Sequence, residues 1–120
     1  MIRTFTFTKT DAKKFEMLYS GFLAGGNALH QTAAPKRDER IKERSILRAL
    51  KAISEETNAE TRTRKLHAAG GAVTLEQADH ELLLKYLEAA PFATVVSDEL
   101  ADLLDWVSAA DKTDPPPAQP

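Results

Sequence analysis

The chain has 120 residues, 42% hydrophobic and 28% charged, enough for one modest globular domain. Its 16 Lys and Arg against 18 Asp and Glu leave a formal net charge of -2, so no bulk polyelectrolyte behaviour is expected. The absence of cysteine excludes disulfides, thiol catalysis and thiolate-bound metals. No apolar run approaches the roughly 18 residues that span a bilayer, and the start at Met1–Thr6 has no apolar stretch of a secretory signal. A cytoplasmic domain with no membrane partner is the expectation.

Residues 2–8 alternate Phe5 and Phe7 with Thr4, Thr6 and Thr8, the period-2 pattern of a strand with one apolar face. A strand by itself leaves backbone groups unpaired. Its partner is expected in Ala72–Thr74, in Thr94–Val96 or in a second copy of the chain. In the last case Ile2, Thr4 and Thr6 lie on the pairing surface, and a strand-paired dimer would present Arg3, Thr4, Thr6 and Lys9 to a DNA groove.

A helix is predicted over 11–24. Phe15, Leu18, Tyr19 and Phe22 form its apolar stripe, and Gly25-Gly26 with Asn27 stop it. Pro35 opens a second helix over 35–56, narrow in its apolar face and crowded with Lys36, Arg37, Arg40, Lys42, Arg44, Arg48 and Lys51. Residues 57–71 are polar and basic, carry Arg62, Arg64 and Lys65, and read as a loop. Thr74 and Gln77 have the spacing of a capping box for a third helix over 75–90, which Pro91 closes. Ser97 caps a fourth, over 98–110, with Leu100, Leu103, Leu104 and Val107 on its apolar side, Trp106 beside them and Asp98, Asp102 and Asp105 outward. The last two helices read as an antiparallel hairpin. Residues 113–120, rich in proline, read as a flexible tail. The expected architecture is therefore mainly α: about four helices over 1–112, one N-terminal strand and a C-terminal helical hairpin.

No catalytic constellation emerges. His30 and His67 sit in no recognisable motif and read as exposed side chains. His80 and Glu76, four residues apart, supply only two of the three protein ligands that a catalytic zinc normally has. Gly25-Gly26 and Gly70-Gly71 are isolated pairs and make no phosphate cradle. No enzyme activity, cofactor or metal is expected.

The informative feature is charge segregation. Residues 36–71 hold ten Lys and Arg against six acids, whereas residues 72–120 hold two against ten. The preferred reading is a small protein-interaction module, an adaptor, regulator or inhibitor. It would act through a strand edge and oppositely charged surfaces, with Ile2, Thr4, Thr6, Trp106, Asp98, Asp102 and Asp105 as contact residues. The alternative is a DNA-binding regulator that neutralises phosphates with Lys36, Arg37, Arg40, Arg44, Arg48, Arg62, Arg64 and Lys65. The plain competitor to both is internal pairing, in which those cations face the acidic C-terminal half of the same molecule.

Overall fold

A computed structural model of the chain describes residues 1–91 and 97–113. In chain order the elements are β1 (Ile2–Phe7), α1 (Ala12–His30), α2 (Arg37–Ala52), β2 (Ser54–Asn58), β3 (Thr63–Leu66), β4 (Gly71–Glu76), α3 (Gln77–Ala89), α4 (Ser97–Ser108) and β5 (Asp111–Thr113). The fold is therefore α+β, which corrects the mainly helical expectation. Two small antiparallel sheets accompany the four helices: one orders its strands β4-β1-β5, the other is the β2–β3 hairpin.

β1 forms as its alternation dictates, with Arg3, Phe5 and Phe7 buried and Thr6 exposed. Its partner in the chain is β4, in a register that sets Phe5 opposite Val73 and Thr4 opposite Thr74. On the other side β5 pairs with Ile2–Thr4. β1 is thus the central strand. Arg3 is the residue whose orientation departs most from the groove-reading expectation. It points inward, and its Nη2 donates to the carbonyl of Ser108. His80 joins it, Nε2 donating to the Val107 carbonyl at 2.8 Å. Two donors thereby meet carbonyls at the end of α4, the Val107 carbonyl also accepting from the Ala110 N–H at 3.1 Å. His80 is fully buried.

α1 starts where expected, its entry fixed by the Asp11 carboxylate. That group accepts from the Thr8 backbone N–H at 2.7 Å and from the Thr8 hydroxyl at 3.1 Å. These bonds, the backbone one foremost, hold the Asp11 carboxyl below its usual range. The helix does not stop at Gly25-Gly26; it runs on to His30. Both glycines lie where α1 crosses α3, and a Cβ on Gly25 would stand 1.7 Å from the Tyr86 carbonyl oxygen. The pair permits a close helix crossing and terminates nothing.

Residues 53–71, expected to finish a helix and then loop, instead build β2, β3 and the start of β4. At the hairpin tip Asn58 Oδ1 accepts from the N–H groups of Glu60 and Thr61, and Arg62 takes a left-handed φ of 57°. Thr74 belongs to β4, and α3 begins after Glu76 with no side-chain cap, so the expected capping box is not formed. The C-terminal hairpin is not formed either. α3 packs chiefly on α1 and α2, and the C-terminal part carries the single helix α4 followed by β5.

The core lies between the three-stranded sheet and the helices. It joins Phe5, Phe7, Phe15, Leu18, Phe22, Ile46, Leu50, Val73, Leu83, Tyr86, Leu87 and Val107. Thr113, assigned above to the tail, ends β5; residues 114–120 and the strand candidate Thr94–Val96 lie outside the described residues.

Candidate nucleic-acid interface

The site is one face of α2. At about 100° per residue, Arg37, Arg40, Arg44, Arg48 and Lys51 fall within an arc of about 80°, and all five are exposed. They run along about 21 Å of helix, at 1.5 Å rise per residue. Ile46 and Leu50, the buried residues that attach α2 to the core, are centred about 140° around the helix from it. The cationic stripe thus points to solvent.

The acids of α2 are kept off it. Glu43 turns inward, where its Oε1 lies 2.7 Å from His30 Nε2 and accepts the hydroxyl proton of Tyr86. Glu39 shares that side and adds negative potential at Tyr86. Lys42, a cation outside the stripe, lies toward Asp79 on α3. Burial raises the Asp79 carboxyl, and Lys42 partly offsets the rise. Among the described residues none of the five stripe cations has an ion-pair partner.

The remaining predicted cations divide. Lys36 is exposed just before α2. Arg64 is absorbed by the hairpin: its Nε donates to Ser54 Oγ and its Nη2 to the Ser54 carbonyl, both at 2.9 Å, with Glu56 at 3.9 Å from Nη1. Lys65 pairs with Glu55 at 3.1 Å. Arg62, at the hairpin tip, has no ion-pair partner among the described residues. The 62–65 cluster is thus largely neutralised across its own two strands.

The residues proposed for protein contact are also distributed. Asp98, Asp102 and Asp105 are exposed on α4, within an arc of about 60°. Trp106 packs edge-on against Phe5 and tilted against Phe7, centroids 5.4 and 5.1 Å apart, with Lys14 Nζ 4.3 Å from its ring centre. It lines a groove of about 490 Å³ between α1 and α4, together with Lys13, Lys14, Met17, Glu99, Asp102 and Leu103. Ile2 and Thr4 are half-buried on β1, and Thr6 is exposed. Glu99 and Asp102 of α4 line this groove, with Lys13 bridging to Glu99 at 3.6 Å, and among the described residues no ion pair joins the acids of α4 to α2.

Sequence reading missed the His30–Glu43–Tyr86 cluster, which borders a cavity of about 180 Å³ with Phe22, Gly26 and Leu47. These residues come from three helices, and the only local hint was an acid inside a basic run. Burial first, then the bond to Glu43, holds the Tyr86 phenol proton well above its ordinary 10.0. A raised phenol contributes stability that is present below pH 10 and is lost above it, because the unfolded chain ionises first. Burial raises Tyr19 as well, so the two must be separated by mutation. Tyr86→Phe is expected to cost about 1–2 kcal/mol at neutral pH and to flatten the alkaline loss. Urea unfolding between pH 7 and 11 checks it; equal alkaline losses in both proteins would exclude Tyr86 as the source.

Among the described residues no group of three or more His, Asp or Glu is placed to hold a metal ion, and no helix is long and apolar enough to cross a membrane. Comparison with family models, with curated proteins and with solved structures finds no match to this chain.

Proposed function

We propose that this protein binds nucleic acid through the phosphate backbone, using the outer face of α2 and without reading sequence. One observation carries the reading: five cations share one arc of a surface helix, unpaired among the described residues, while the acids of that helix are turned to its other sides. Against internal pairing, the plain competitor, stands that among the described residues no ion pair joins the acidic face of α4 to the stripe, and that Lys42, which lies toward Asp79, is outside it. A stripe of this kind neutralises several phosphates and releases their counterions, so affinity falls steeply with salt. The net charge of -2 keeps attraction local to this face.

The test is anisotropy of a labelled mixed-sequence duplex, titrated from low to physiological salt. Arg40→Glu with Arg44→Glu is expected to weaken binding at least tenfold at low salt, evenly across sequences, and to reduce the salt slope by about two. Because both side chains are exposed, the unfolding free energy should stay within about 0.5 kcal/mol of wild type. Absence of binding even at low salt would refute the proposal, and unfolding of the double variant would restore internal pairing.

A second reading, a non-enzymatic protein-interaction module, has one observation in its favour: the exposed Asp98–Asp102–Asp105 stripe beside the Trp106 groove. It is the acidic counterpart of the α2 face and suits a basic partner. Asp98→Lys with Asp102→Lys separates the two, since it leaves phosphate binding by α2 intact or strengthens it.

A further inference from the structure

We infer that the nucleic acid held by α2 is a double helix rather than a single strand, an inference that rests on the phosphate-binding reading above. Three features of the molecule lead there.

The first is the placement of aromatic side chains. Single strands are held largely by stacking exposed bases on aromatic rings lining a charged groove. Here Phe5, Phe7, Phe15, Tyr19, Phe22 and Tyr86 are all buried. Trp106 is half-buried on Phe5 and Phe7 under the Lys14 ammonium, and the groove it lines on α4 is shared with the acids Glu99 and Asp102 and not with the α2 stripe. The large apolar residues exposed among the described residues are Met1, Leu23 and Ile41, none of which offers a π-face. On α2 itself the stripe is flanked by Ile41 and Leu47, so an unstacked base finds no aromatic ring there and only guanidinium planes to lie against.

The second is charge density. Duplex DNA carries one phosphate per about 1.7 Å of axis, so about 21 Å of it holds roughly 12, of which about half turn toward any one side. Five cations along a helix of that length meet about six phosphates, a near match. A single strand, at about 3.4 Å per phosphate, reaches the same number only when it is drawn out along the stripe with every phosphate turned to it, an ordering that the rigid duplex does not require.

The third is shape. The stripe is the convex outer side of a helix whose opposite side is fixed in the core by Ile46 and Leu50 and tied to α1 and α3 through Glu43. A B-form major groove is about 12 Å wide, and a rigid rod of arginines presents its charges to the phosphates at the groove edges. A flexible single strand must instead be ordered along an open face whose one described depression, about 330 Å³, is lined by Arg44, Leu47, Arg48 and Lys51 and by no aromatic ring.

The experiment compares the full-length chain on a labelled 24-base-pair duplex and on a non-pairing 24-nucleotide single strand of the same base composition, by anisotropy from 50 to 200 mM salt. The duplex is expected to bind at least tenfold more tightly. Its log–log salt slope should lie near -4.5, or about 0.9 for each of five cations. Arg40→Glu with Arg44→Glu should lower that slope while leaving the folded fraction unchanged. Equal or tighter binding of the single strand would overturn the duplex inference and leave phosphate binding standing. Failure of both probes to bind at 50 mM salt would overturn the phosphate reading and the inference together.

Discussion

Gly25→Ala is expected to destabilise the protein by about 2–4 kcal/mol, although it replaces a poor helix former with the best one. Alanine in mid-helix is worth about 1 kcal/mol over glycine, and α1 continues five residues past this position. The opposing effect is steric. The new Cβ would lie 1.7 Å from the Tyr86 carbonyl oxygen and 2.5 Å from its carbonyl carbon. Both atoms are helix backbone, so no rotamer change relieves the clash. α3 must shift as a unit, which breaks the packing of Tyr86 on Phe22, stacked at 5.0 Å. Overpacking of a well-filled core costs about 1–3 kcal/mol, and more where the backbone itself must move. Gly26→Ala is the control. Its Cβ would meet the edge of the Tyr86 ring at 3.0 Å, a side chain that can yield by a few tenths of an ångström, so the loss should be under half as large. Urea unfolding decides the matter: a Gly25→Ala protein as stable as wild type would show that the α1–α3 crossing is looser than these distances.

The same glycine pair explains why part of the fold was hidden in the sequence. Gly25-Gly26-Asn27 carries the local chemistry of a helix stop, and only knowledge of what crosses there reveals it as a contact. β1 and the beginning of α1 were legible because their apolar periods are undiluted: Phe5 and Phe7 at period 2, then Phe15, Leu18, Tyr19 and Phe22 at helical spacing. β2 and β3 were not. Ser54–Asn58 buries only Ser54 and Thr63–Leu66 buries only Leu66, so their pattern is that of a polar loop. What holds them is cross-strand pairing, Arg64 on Ser54 and Lys65 on Glu55, and such pairs are invisible until the turn at Asn58 brings the strands together. β5 is three residues long and exists by pairing with β1. The candidate site was half legible. Periodicity alone aligns Arg37, Arg40, Arg44 and Arg48, but whether those charges meet solvent or the acids of α4 depends on which helices pack together. The inward turn of Glu43 depends on His30 and Tyr86, 13 and 43 residues away in sequence.

Phe7→Ala is expected to cost about 3–5 kcal/mol, the usual range for deleting a fully buried aromatic ring. Phe7 is 1% exposed and joins the sheet to two helices, with ring centroids 5.4 Å from Phe15 on α1 and 5.1 Å from Trp106 on α4, besides 5.8 Å from Phe5 in its own strand. Its removal leaves a cavity bounded by three rings, and the edge-to-face contacts with Phe5 and Phe15 each add about 0.5–1.5 kcal/mol beyond buried area. A domain of this length has a total stability of roughly 6–18 kcal/mol, at about 0.05–0.15 per residue, so the variant forfeits a large share yet should retain a folded population in the cold. Trp106, the single tryptophan, reports the change directly: its emission should shift to the red in the folded variant, and the urea midpoint should fall. The contrast with the α2 variants gives this experiment its functional weight. Phe7 lies in the core and the stripe on the exposed face of α2, so folded Phe7→Ala protein should hold a duplex with wild-type affinity. Arg40→Glu with Arg44→Glu should instead lose the duplex and keep its stability. A parallel loss of stability and binding in both variants would mean that the stripe belongs to the scaffold, and that its cations serve the fold before any ligand.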